Sequence, residues 1–206
     1  GKAILQLLRV ALFQKALNDG FKPHFLNAYP DIFFEKSRKR NRWTCTTLMT
    51  KSAGIKLNGL DTVLDGKSLT AEIVQDAWRN SLNLNVPEIT PVDAAQRALN
   101  SLKEYDLVLY EYYLTDKAGH EMRRDKADKV LEVLDCFLME IIKNLKEGDT
   151  LVISSDHGNI ENLSIKTHTR NPVPLFVKGD TLAFKKAASI LDVTPAIIET
   201  RKKGSK

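Results

Sequence analysis

Apolar positions in the first stretch of the chain, Ile4, Leu7, Leu8, Ala11 and Leu12, recur at helical spacing, and Asn18-Asp19-Gly20 supplies a stop. Residues 21–28 follow as a short strand, with Pro23 at its start or edge. Residues 29–91 sustain no single period. They hold a helical stretch from Ala71 to Ser81 around Trp78, several glycine turns and a polar loop ending at Pro91. We expect a small cap insert over the core at residues 30–92. Thr90-Pro91-Val92-Asp93 then reads as a capped helix start running to Leu102.

The last part alternates more clearly. Residues 106–114 and 150–155 are apolar runs of buried-strand type, and Pro174 to Val177 is a third. Between the first two lies a long amphipathic helix, Glu121 to Lys146, with Val130, Leu131, Leu134, Phe137, Leu138, Ile141 and Leu145 on one face and Gly148 beyond its end. Val193 to Thr200 closes the chain as a helix with Pro195 in its first turn. Continuous apolar strands alternating with helices predict an α/β fold, a mainly parallel sheet with helices on both faces. On such sheets ligands gather at the carboxyl ends of strands.

Three of the 4 histidines fall where that rule points. Asp116 and His120 follow the run ending at Leu114, Asp156 and His157 follow the next, and His168 sits in the loop before the third. Neutral imidazole and carboxylate suit Zn²⁺ or Mn²⁺. Loops at strand ends would let these groups converge without helical constraint, and Gly119 and Gly158 would let the backbone pass close to an ion or a phosphate. A lone Asp-His pair in a loop is ordinarily a turn or a surface hydrogen bond; three such groups at strand ends point to metal. His24, beside Pro23, reads as structural.

Composition adds bounds. The chain has 206 residues, 43% hydrophobic and 28% charged, an ordinary globular balance for one domain over residues 1–206. Part of the net charge of +5 sits in Lys36 to Arg42 and Arg201 to Lys206. These runs read as solvated surface and tail, or as attraction for an anionic substrate; no nucleic-acid motif accompanies them. Cys45 and Cys136 have no metal or redox spacing, which suggests a reducing, cytoplasmic setting, or else two small buried hydrophobes. No apolar run is long enough to span a bilayer, and Gln6 and Arg9 interrupt the early apolar segment, which lacks a cleavage pattern.

The segments Leu114-Thr115-Asp116-Lys117-Ala118-Gly119-His120, Ser155-Asp156-His157-Gly158-Asn159-Ile160-Glu161 and Thr167-His168-Thr169-Arg170-Asn171-Pro172-Val173-Pro174 resemble the metal motifs of the alkaline phosphatase superfamily. The branch is that of cofactor-independent phosphoglycerate mutase and phosphopentomutase, and within it a group of short metalloenzyme proteins. The ending from Leu191 to Glu199 is similar to the family's closing helix. The resemblance implies an alkaline-phosphatase-like core with a two-metal site. Asp116, His120 and His168 would hold one divalent ion, Asp156 and His157 part of a second, as Mn²⁺ or Zn²⁺. It further implies phosphatase or phosphomutase chemistry on a small phosphorylated metabolite.

In that family an early aspartate and a serine or threonine nucleophile complete the site. No such strand-end motif is found here, and Thr44, Thr46 and Thr47 follow a basic run instead of a core strand. With Gly1 as the first residue, this suggests a chain lacking its N-terminal segment, or one completed by a second chain. The contrasting reading is a truncated relic that binds metal or a partner without turnover. Arg170 and Lys117 flank metal motifs and are candidates for holding substrate phosphate. The alternative is that Arg170 pairs with a carboxylate and Lys117 points to solvent.

Overall fold

A computed structural model describes residues 11–204, so the early helical positions Ile4, Leu7 and Leu8 lie outside the described residues. Two compact units divide at Tyr112/Tyr113.

Among the described residues of the first unit, α1 (Leu12–Asn18) comes first and buries Leu12, Phe13 and Ala16. It ends at the expected stop. Gly20, at φ 80°, lets its own amide reach Leu17 and that of Phe21 reach Ala16, at 3.0 and 2.8 Å. That pair of bonds satisfies carbonyls the helix would otherwise leave open. Strand β1 (Pro23–Phe25), wholly buried, follows.

Four short helices succeed it: α2 (Asp31–Arg40), α3 (Cys45–Ser52), α4 (Leu60–Leu64) and α5 (Asp76–Asn80). The helix expected from Ala71 is therefore shorter. Ile73 and Gln75 take φ of 71° and 68°, which no α-helix accepts. The Glu72 carboxylate turns back to accept the Ala77 amide at 2.7 Å, so the helix starts only after this turn. Trp78 then packs with Ala28, Val63 and Val86 in a buried cluster. Helix α6 (Pro91–Ser101) starts as predicted: Thr90 accepts from the Asp93 amide and Asp93 from the Thr90 amide.

Strand β2 (Leu107–Leu109) lies parallel to β1, with His24 opposite Val108. Past the ladder, the buried Asn27 side chain accepts the Glu111 amide at 2.8 Å and donates to the Glu111 carbonyl at 2.7 Å. It fixes the chain where β2 ends. Thr46 Oγ1, in the first turn of α3, donates to the Glu111 carboxylate at 2.8 Å, while Thr44 caps that helix. His24 is buried and stacked on Tyr105 with ring centres 4.2 Å apart, and burial holds its pKa below the usual imidazole value.

The second unit opens with α7 (Leu114–Glu121) where the apolar run was expected to continue as strand. Helix α8 (Arg124–Asn144) starts later than expected and buries Ala127, Phe137 and Ile141; Leu131, placed on its apolar face, is exposed. Strands β3 (Leu151–Ser154) and β4 (Leu175–Lys178) pair antiparallel, Val152 opposite Val177. Of the two strand pairs among the described residues, then, one is parallel and one antiparallel. The run at 106–114 does pair in the parallel sense expected, through β2, whereas the runs at 150–155 and 174–177 pair antiparallel. Helix α9 (Ile190–Gly204) begins earlier than predicted, which leaves Pro195 inside it. Among the described residues, no helix is long and apolar enough to cross a membrane. Cys45 and Cys136 are free and exposed, so neither is the buried hydrophobe considered above.

Asn27→Ala should strand two backbone groups of Glu111, at about 2–4 kcal/mol of stability. Thr90→Ala removes one helix cap, at about 1 kcal/mol. Urea denaturation of both variants should rank them in that order.

Candidate metal centre

Asp116 and His120 sit on α7 four residues apart, so both project from one face of a helix and not from the open loop expected. His157 follows β3, and His168 lies in the loop before β4. One oxygen, Asp116 Oδ1, is the point on which they converge. It stands 3.4 Å from His120 Nε2, 3.3 Å from His168 Nε2 and 4.0 Å from His157 Nε2. Asp156 is largely exposed and brings its Oδ2 to 3.5 Å from His157 Nε2.

The donor set fits a divalent ion. Asp116, His120 and His168 each offer one atom, all within 4.8 Å of one another. Two ligands at about 2.0–2.1 Å from a tetrahedral zinc stand about 3.3–3.4 Å apart, the separations found at Asp116 Oδ1. The tautomer of His120 also fits. Its Nδ1 lies 2.6 Å from the Lys166 carbonyl, which can only accept, so Nδ1 carries a proton and Nε2 is the nitrogen that a neutral ring would offer to an ion.

The loops are held by groups that the sequence marked only vaguely. Asn159 is buried, and its Nδ2 donates to Asp116 Oδ1 at 2.5 Å and to the Asp116 carbonyl at 3.2 Å. It orients Asp116. A Cβ at Gly119 would collide with the Asn159 amide, and one at Gly158 with Thr169 and Glu161. These glycines make room for side chains; the close approach of an ion or phosphate was the expectation. Asn159 Oδ1 and His157 Nδ1 are buried without a hydrogen-bond partner among the described residues.

Gly158 and Thr169 form an antiparallel bridge, with the Thr169 amide on the Gly158 carbonyl at 2.9 Å. The adjacent His157 and His168 thereby stack, ring centres 3.6 Å apart and planes 14° apart. Glu161 accepts from the Thr169 hydroxyl, from Asn171 Nδ2 at 3.0 Å and from the Asn159 amide at 2.6 Å. The Thr169 hydroxyl, first among these donors, pulls its carboxyl down to about 2. Lys117 is exposed and its charge acts on Glu121. Arg170 is exposed, with no ion-pair partner among the described residues.

The family model of the metalloenzyme superfamily matches residues 33–201. The chain belongs to the metalloenzyme superfamily. All three motif segments fall inside that match. Curated relatives carry the names of the branch the motifs indicated. The 2,3-bisphosphoglycerate-independent phosphoglycerate mutase of Desulforudis audaxviator is 30% identical over 122 residues, 55% of this chain and 24% of that protein. The phosphopentomutase of Clostridioides difficile is 31% identical over 134 residues, 62% of this chain and 32% of that protein. The matched stretch thus spans about a quarter to a third of these relatives' own length. Among solved structures, the PH0037 protein of Pyrococcus horikoshii superposes with a TM-score of 0.58 at 15% identity, over 91% of this chain and 51% of that one. At that identity the likeness speaks for the fold alone.

Two outcomes follow. Alanine in place of a helical glycine ordinarily gains up to about 1 kcal/mol. Gly119→Ala should instead lower the melting temperature, because the new methyl displaces Asn159 from Asp116. Glu161, with a folded pKa below its ordinary 4.5, adds stability that is fully present above that value and is lost as pH falls towards about 2. Acid unfolding of Glu161→Gln should lack this part of the pH dependence.

Proposed function

We propose that this chain carries the metal-holding part of a phosphoryl-transfer enzyme, of phosphatase or phosphomutase type, that acts on a small phosphorylated metabolite. One observation carries the reading: three imidazole Nε2 atoms stand within 4.0 Å of the single carboxylate oxygen of Asp116. The motif order and the mutases among the curated relatives support it.

In this reading Asp116, His120 and His168 hold one divalent ion, and Asp156 with His157 contributes to a second, as Mn²⁺ or Zn²⁺. Ions bound there supply the positive charge that steadies attacking and leaving oxygens in an in-line displacement at phosphorus. The chain's own groups prepare that place. The Lys166 carbonyl keeps the lone pair of His120 turned towards Asp116. Asn159 holds the Asp116 carboxylate in one orientation. Arg170, free of other ion pairs among the described residues, is placed to take a phosphate through its planar fork. Lys117 adds an exposed positive charge one residue from Asp116. Two free, exposed cysteines accord with a reducing, cytoplasmic setting.

Thermal-shift titration of chelator-treated protein tests the reading. An ion that binds only the folded chain adds about 2.7 kcal/mol at a hundred times its dissociation constant. Zn²⁺ or Mn²⁺ should raise the melting temperature of the parent and leave Asp116→Ala and His168→Ala unmoved. Inorganic phosphate should add a further rise in the loaded parent that Arg170→Ala loses. Equal shifts in parent and both site variants would sink the assignment.

A further inference from the structure

We propose that Glu161 is a positioning residue that locks the His157 loop to the His168 loop before any ion arrives. The inference deepens the metal-site reading and rests on it. Glu161 stands four residues after His157, and its carboxylate reaches across to the segment that carries His168. Both of its oxygens are used. Oε1 takes the Thr169 hydroxyl and Asn171 Nδ2; Oε2 takes the Asn159 amide on its own loop. Thr169 belongs both to this contact and to the backbone bridge with Gly158. Each partner of that bridge is the immediate neighbour of one of the two stacked histidines.

A single backbone bridge in an exposed loop is weak by itself, since ordering each residue costs on the order of 1–2 kcal/mol. Charge-assisted hydrogen bonds are roughly twice as strong as neutral ones. Three of them on one carboxylate therefore hold a register that the backbone alone would not. The Asn159 amide also ties the same carboxylate to the residue that fixes Asp116. Glu161, directly and through Asn159, so links all three segments that supply the centre, while its own oxygens lie outside the cluster of donor atoms. Partners of this outer kind ordinarily account for about 10–100-fold in metal affinity.

The test uses the full chain and Zn²⁺ alone as the probe. Isothermal titration is run on the parent, Glu161→Ala, Thr169→Val, Thr169→Ser, the Glu161→Ala/Thr169→Val pair and Asp116→Ala. Imidazole proton–nitrogen correlation spectra are recorded on the metal-free proteins. Glu161→Ala and Thr169→Val should each weaken Zn²⁺ binding about 10–100-fold. Thr169→Ser, which keeps the hydroxyl, should bind like the parent, and the paired variant should bind no worse than Glu161→Ala alone. In the metal-free spectra the His157 and His168 signals should move in Glu161→Ala. Parent-like affinity together with unmoved ring signals would overturn the proposal. If Asp116→Ala binds Zn²⁺ as tightly as the parent, the metal-site reading fails instead, and the metal-free ring signals alone decide the role of Glu161. If Glu161→Ala does not fold, the contrast between Thr169→Val and Thr169→Ser decides it.

Discussion

The antiparallel bridge between Gly158 and Thr169 sets the position of two imidazoles at once. Because neighbours in an extended segment are fixed by the backbone they belong to, pairing these two residues forces His157 and His168 side by side. Their Nε2 atoms then face a carboxylate delivered from a different element, the helix α7. If the bridge slipped by one residue, His157 and His168 would no longer flank paired positions, and the stacking that brings both to Asp116 would be lost. The glycine in the bridge leaves the space that the Thr169 and Glu161 side chains occupy.

The two units solve backbone satisfaction differently. In the first, buried amides do the work: Asn27 spans Glu111, and Asn58 donates to the Phe25 carbonyl at 2.7 Å. The Asn27 bonds continue the register of a three-residue ladder beyond its last pair. In the second unit the strands are only half-buried or exposed, and charged side chains add contacts to backbone carbonyls. Lys178 Nζ, for instance, donates to the Ile142 carbonyl at 2.7 Å, near the end of α8. Cations favour that end of a helix, where carbonyls lack partners.

The sequence made the chemistry more legible than the geometry. Motif order marked Asp116, His120 and His168, and these are the three whose donor atoms cluster. The capping box at Thr90 and the glycine stop after Asn18 were readable because each depends on residues a few positions apart. What escaped depends on distant partners. Apolar runs announce burial, but no period tells whether two strands run parallel, so the pairing of β3 with β4 was hidden. The stretch after Leu109 carries tyrosines that suit a strand, yet β2 ends at Leu109 and the next regular element, α7, starts only at Leu114. Ile73 at positive φ contradicts the preference of a β-branched residue, and only its full burial explains how it is held there. Asn159 stood in plain view, yet its partner, Asp116, is 43 positions away.

The bond from His120 Nδ1 to the carbonyl of residue 166 carries a lesson about variation. The acceptor belongs to the main chain, so the side chain at 166 has no part in choosing the tautomer. Substitutions at this exposed position can drift without disturbing the imidazole. Loop length is another matter. Residues 162–167 join Glu161 to His168, and adding or deleting one would pull the carbonyl away from the ring. Related chains should therefore tolerate many side chains at this position while keeping the spacing between these two residues constant.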